Sequence, residues 1–222
     1  ARPASAGERG HHVRQRAAGS RPDLYSPWLI VTINFISLTF FFSSAGFLST
    51  AAPMFGGTVW GLGPEAIGLA MASGTAIRLF TSLGGAAISD RYGRRFVLVP
   101  ALLILGLGAL SFNLVSSYPL YVMAIAFSGL GRLGNSVPII LLADILPPGK
   151  VARFIGLNRF IGDFGFIAGP LLVGWLIDVS GYGAVTMAVA GFLWLAALLA
   201  ITVVREPSRQ PAPSQPSDIP AA

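Results

Sequence analysis

Six runs of mostly apolar residues alternate along the chain with short polar or turn-forming pieces: Trp28 to Met54, Pro64 to Ser89, Phe96 to Phe112, Pro119 to Ile145, Phe154 to Ile177 and Ala184 to Val204. A bilayer crossing takes about 20 residues at roughly 1.5 Å of rise each, and each run is of that scale, the third being short. Glycines and prolines mark the breaks: Gly56-Gly57, Gly61-Leu62-Gly63-Pro64, Tyr118-Pro119, Pro147-Pro148-Gly149 and Gly181-Tyr182-Gly183. The pattern predicts an all-α membrane protein with six transmembrane helices over residues 28–204. Residues 1–27 read as a polar tail or linker, or the continuation of a longer parent. Beyond Val204 the chain passes through Arg205-Glu206-Pro207 into a Ser-, Pro- and Ala-rich tail, 205–222, which cannot bury a core and is expected to be disordered.

Composition strengthens this picture. Of 222 residues, 54% are hydrophobic and 11% charged, against about a quarter charged in a soluble domain. The formal net charge of +6 sits in short pieces between apolar runs, not on one basic face, which argues against nucleic acid as a partner. The chain has no cysteine, which excludes disulfides, thiolate metal sites and cysteine nucleophiles, and its two histidines, His11 and His12, lie together in the polar tail. No metal or cofactor is implied, and enzyme chemistry is left without a histidine or a carboxylate pair at a membrane boundary.

The positive charges report topology. Arg2, Arg9, Arg14, Arg16 and Arg21 precede the first run; Arg91, Arg94 and Arg95 follow the second; Lys150 and Arg153 follow the fourth; Arg205 and Arg209 follow the sixth. The opposite loops, 55–63, 113–117 and 178–183, carry no Lys or Arg. Both termini are therefore expected to be cytoplasmic, with an even number of spans.

An internal echo accompanies the spans. Asp90-Arg91-Tyr92-Gly93 follows the second run and Asp178-Val179-Ser180-Gly181 ends the fifth, so both place Asp-x-x-Gly after an apolar helix. The offset carries helices one to three onto four to six, and because three is odd the two copies must be inverted in the membrane. The loop residues Asp90, Arg91, Gly93, Arg94 and Arg95 match the signature of the major facilitator superfamily, which the chain resembles; Ala86 stands where the family's first glycine is usual. Gly165-Phe166-Ile167-Ala168-Gly169-Pro170 is similar to the family's antiporter motif, and Arg132 with Asn135 to its arginine motif in the fourth helix. The resemblance implies half of a transporter fold, with a second six-helix half as partner. The antiporter and arginine motifs are more typical of N-terminal halves, but the stretch from Ala143 to Asp163 is more similar to C-terminal ones, and the C-terminal half is the one the resemblance implies. It also implies a conformational role for Asp90, Arg91, Gly93, Arg94 and Arg95, whose loop makes charged contacts with neighbouring helix ends in the family. A bacterial inner membrane is the expected location.

Transport needs polar groups near the midplane, so charges inside the apolar runs are the first candidates. Arg78, Arg132 and Asp163 stand out, and helices three and six carry no charge within their spans. At about 100° per residue, Gly74, Thr75, Arg78, Ser82 and Gly85 share a face of helix two; Ser128, Arg132, Asn135 and Ser136 share one of helix four; and Asn34, Ser37 and Ser44 form a stripe on helix one. Arg132, Arg78, Asn135, Asn34 and Ser128 are thus candidate substrate contacts, and Asp163 a candidate for proton coupling. Arg78 and Arg132 have a structural alternative, bonding to carbonyls or to Asp163, and Arg159 with Asp163 can equally be an i,i+4 pair within one helix. Gly165 and Gly169, with Gly162, lie opposite as a close-packing face, next to a kink at Pro170. The expected activity is secondary transport of a small organic solute, with proton-coupled efflux as one form and an anion as one substrate class. A non-transporting fragment or partner subunit is the rival.

Overall fold

The computed structural model describes residues 26–204; the two terminal tails lie outside the described residues, as do the side chains of 83–87, Asp90 and Pro148. Among the described residues there are helices and turns and no strand. Helix α1, Pro27–Thr58, is α-helical over Pro27–Phe42, π-helical over Ser43–Ala51 and α-helical again over Ala52–Thr58. Helix α2 is Pro64–Tyr92, and α3 is Arg94–Ser111, prolonged by a 3-10 turn at Phe112–Leu114. Helix α4, Tyr118–Ile145, contains a 3-10 turn at Gly131–Gly134. The last helical stretch, Pro148–Val203, runs for 56 residues but breaks at Gly181 into two arms, α5 (148–180) and α6 (182–203).

Local chemistry explains the boundaries. Proline stands in the first turn of α1, α2, α4 and α5, where its missing N–H would have no helical acceptor in any case. Gly93 (φ 106°, ψ 154°) separates α2 from α3, and Gly181 (φ 78°, ψ 175°) separates α5 from α6. This positive-φ extended conformation is open essentially to glycine alone. The two glycines of the Asp-x-x-Gly echo thus make the same kind of bend.

Among the described residues, four helical stretches are long and apolar enough to cross a membrane: Pro27–Thr58, Arg94–Leu114, Tyr118–Ile145 and Gly149–Val203. Six crossings were expected, and two features account for the difference. The last stretch is about 80 Å long at roughly 1.5 Å per residue, well over twice a hydrocarbon core of about 30 Å, and it bends at Gly181. Helix α2 has 29 residues, long enough to cross, but residues 83–87 in its second half lie outside the described side chains, so it does not count among the four.

Small residues bring the helices together, as expected where lipid removes the hydrophobic force between them. A Cβ on Gly46 of α1 would come within 2.7 Å of the Gly169 carbonyl of α5, and one on Gly129 of α4 within 2.6 Å of the Gly74 carbonyl of α2. Gly131 of α4 packs on Ala101 and Leu105 of α3, and Gly106 of α3 on Trp194 of α6. The apolar core runs through Ile33 and Ile36 of α1, Leu98 and Leu102 of α3, Leu141 and Leu142 of α4, and Leu193 of α6.

Candidate functional site

The packing leaves a cavity of about 430 Å³ walled by α1, α2, α4 and α5, with no lining residue from α3 or α6. Helix α2 contributes Thr75, Arg78 and Ser82; α4 contributes Arg132, Asn135 and Ser136; α1 contributes Ser37 and Phe41; α5 contributes Asn158 and Arg159. A second cavity of about 200 Å³ lies behind it, and Thr75, Arg78 and Arg132 line both. These three residues therefore stand at the junction of the two spaces.

Arg132 sits in the 3-10 turn of α4, and its guanidinium donates from Nη2 to the Ser44 hydroxyl of α1. Ser44 belongs to the π-helical segment, where the Ser49 and Thr50 hydroxyls donate five residues back, to the Ser44 and Ala45 carbonyls at 3.1 and 2.9 Å. That register is the π-helical one. The widened turn sets Ser44 toward Arg132 and Gly46 against α5.

On the α1–α5 wall three buried polar side chains satisfy one another. Asn158 Nδ2 donates to Asn34 Oδ1 at 3.1 Å and to Ser37 Oγ at 2.8 Å, and Asn34 Nδ2 donates to the Ile30 carbonyl at 2.8 Å. Arg159, one residue on, lines the cavity with its guanidinium 5.2 Å from the Phe41 ring centre. It also donates from Nε to Asp163 at 3.2 Å, in an exposed i,i+4 pair. Asp163 itself is not a lining residue, so the described lining holds three arginines and no carboxylate.

The structure thus brings Arg78, Arg132 and Asn135 together at one cavity and sets Asn34 just behind its wall. Ser128 is elsewhere. Only 1% exposed, it donates to the Ala124 carbonyl at 2.9 Å and packs against Gly108 of α3. Between Ser128 and the later residues lies the 3-10 turn, which advances about 120° per residue instead of about 100° and so turns Asn135 and Ser136 relative to Ser128. At the first position of α3, Arg94 donates from Nε to Asp144 Oδ2 and from Nη1 to Ser89 Oγ, both at 3.1 Å, tying the start of α3 to the ends of α4 and α2. Arg91 lies 5.7 Å from the Tyr92 ring centre, Gly93 makes the bend, and the Asp90 side chain is outside the described residues. Gly165 and Gly169 face α1, where a Cβ would meet the Leu38 and Phe42 carbonyls at 2.7 and 2.8 Å; Pro170 follows inside α5.

Sequence reasoning missed Asn158, Asp144, and Ser44 as the partner of Arg132. An asparagine inside an apolar run is a readable signal, because it must find partners in lipid. Asp144 offered a similar one, as an acidic residue ending an apolar run. Ser44 lies on the polar stripe of helix one, but nothing in the local pattern announces the π-helical register that accompanies its contact with Arg132.

Three comparisons bear on this arrangement. The family profile of the Major Facilitator Superfamily matches residues 30–221. The chain is 30% identical over 161 residues to the 4-hydroxybenzoate transporter PcaK of Pseudomonas putida, covering 66% of this chain and 35% of that protein. It is 34% identical over 104 residues to the benzoate transport protein of Acinetobacter baylyi, covering 45% of this chain and 22% of that protein. The matched stretch spans about a third or less of the length of these curated relatives.

Proposed function

Since the chain belongs to the major facilitator superfamily, we propose that it forms one six-helix half of a secondary transporter that moves a small organic carboxylate by alternating access. The observation that carries this is the cavity lining: Arg78, Arg132 and Arg159 with hydroxyl and amide groups, and no carboxylate among the described lining residues. In a site screened from water such a lining favours an anion, and a planar guanidinium matches a carboxylate with two parallel donors. The names of the relatives, a 4-hydroxybenzoate transporter and a benzoate transport protein, support an aromatic carboxylate as the substrate. Thr75 and Ser82 donate their own hydroxyl protons to helix carbonyls, so each keeps lone pairs with which to accept from a substrate hydroxyl.

The finer proposals rest on the same frame. Gly93 and Gly181 support two inverted three-helix repeats and six crossings, with α2 crossing despite its charges because these face the cavity or the membrane boundary. The loop charges support cytoplasmic termini. Coupling to protons, import or export alike, would use the Arg159–Asp163 pair: a proton on Asp163 releases Arg159 toward the substrate. Because α2 and α5 share no substantial interface among the described residues, the cavity is open along one side, and a second six-helix half closes it.

The test is uptake of labelled 4-hydroxybenzoate into liposomes holding the full transporter that contains this chain, with benzoate as competitor. Accumulation that is competed by benzoate and lost in both Arg78→Gln and Arg132→Gln is expected. Full activity in both variants overturns the anion site. Residues 1–222 reconstituted alone are expected to give no accumulation, and accumulation by them alone removes the need for a second half.

A further inference from the structure

Away from the cavity, α3 and α6 form a groove of about 330 Å³ at the end of the bundle where the Lys and Arg loops lie. Its lining is Arg95, Phe96, Val99 and Pro100 of α3 and Ile201 of α6. Phe96 is 61% and Ile201 41% exposed, as suits side chains turned to acyl chains. The arginines of this loop differ sharply in their surroundings. Arg94 is held by Asp144 and Ser89, and Arg91 lies by the Tyr92 ring. Arg95 has no hydrogen-bond or ion-pair partner among the described residues and is half-buried beside apolar side chains.

An arginine stem laid along apolar surface with its charge at a membrane boundary is stable when the head reaches water or an anion. Here Arg95 lines a groove whose other lining side chains are all apolar, with Phe96 and Ile201 exposed. We propose that this groove is a binding site for an anionic phospholipid, with the phosphate on the Arg95 guanidinium and an acyl chain along Phe96, Val99, Pro100 and Ile201. The charge selects an anionic headgroup, since basic pockets between helices on the cytoplasmic side attract such lipids. The apolar walls select a lipid over a soluble phosphate, which could meet only the arginine. The site lies on the two helices that do not line the cavity, so it does not depend on the substrate assignment.

The test uses the full transporter in a neutral detergent, titrated separately with phosphatidylglycerol, phosphatidylcholine and inorganic phosphate. Bound lipid is counted by native mass spectrometry and the melting temperature is read in parallel. Phosphatidylglycerol is expected to bind and raise the melting temperature, while phosphatidylcholine and phosphate do neither. Arg95→Gln should weaken phosphatidylglycerol binding about fivefold, the size of one basic contact at an anionic surface. Ile201→Trp, which keeps the charge and fills the groove, should weaken it as well, whereas Arg153→Gln should leave it unchanged. Equal phosphatidylglycerol binding in wild type and Arg95→Gln, or a melting shift from phosphate as large as from the lipid, overturns the proposal. Loss with Arg95→Gln but not with Ile201→Trp overturns the acyl-chain half of it.

Discussion

A guanidinium midway along an apolar helix must find a partner, and the one Arg132 finds is the Ser44 hydroxyl of α1. This separates the two roles open to it. A hydroxyl partner leaves the charge uncompensated and most of its five donors available to an incoming carboxylate, whereas pairing with Asp163 would have neutralised it. Arg132→Lys is therefore expected to keep the fold and to weaken substrate binding about tenfold or more, because the two-pronged donor geometry is lost. Arg132→Ala should weaken it further while moving the melting temperature little, since no carboxylate is stranded. Substrate affinity and melting temperature measured together check this, and unchanged affinity in Arg132→Ala removes Arg132 from the site. Asn158 sits at the opposite pole, being structural first. Asn158→Ala leaves Asn34 Oδ1 and the Ser37 hydroxyl without their partner in a buried wall, at a cost of about 1 to 3 kcal/mol each way a buried polar group is orphaned. A clear fall in melting temperature is expected, with none in Ser136→Ala, whose exposed hydroxyl lines the cavity without a partner to strand among the described residues. The candidate charges were legible because each interrupts an apolar run. Their partners were not, since Ser44 and Arg132 lie 88 positions apart and only the folded helices bring them together.

At the scale of the helix, the contact between α1 and α5 is set by backbone approach. The glycines at 162, 165 and 169 recur at helical spacing, so their common face could be read from the sequence. That α1 answers with Gly46 inside a π-helical segment could not, because the shift of register is a tertiary compromise and leaves no periodic trace. A Cβ at 169 would stand 2.8 Å from the Phe42 carbonyl and 2.9 Å from the Gly46 nitrogen, both backbone atoms that cannot swing aside. Gly169→Ala is accordingly expected to cost about 1 to 3 kcal/mol and to part the two helices. Gly174, one turn or so further along α5, meets nothing within 4 Å, so Gly174→Ala should be neutral or stabilising by up to about 1 kcal/mol. Thermal melting of the two variants in the same detergent decides the matter. A stabilised Gly169→Ala would mean that the close approach does not hold in the membrane.

For the whole molecule, the open question of architecture is carried by two elements, α2 and the long helix bent at Gly181. Helix α2 holds its charges at Arg78 and near its ends, and the positive loop that follows it contrasts with the uncharged loop that precedes it. A crossing α2 puts Trp60 and Arg91 on opposite sides of the membrane; an α2 lying along the surface puts them on the same side. Likewise, a 56-residue helix that reverses at Gly181 puts Tyr182 opposite Gly149 and returns the chain to the side of Gly149 by Val203. The absence of cysteine makes the experiment direct, since single cysteines placed at 60, 91, 149 and 182 are the sole thiols of their variants. Position 149 is chosen because a side chain there meets nothing within 4 Å. Labelling of whole cells with a membrane-impermeant thiol reagent is expected at 60 and 182 and absent at 91 and 149, the last two reacting only after the membrane is opened. Labelling at 60 and 91 alike would take α2 out of the membrane, leave an odd number of crossings, and with it dismiss both the inverted repeat and the four-helix cavity wall in which Arg78 has its place.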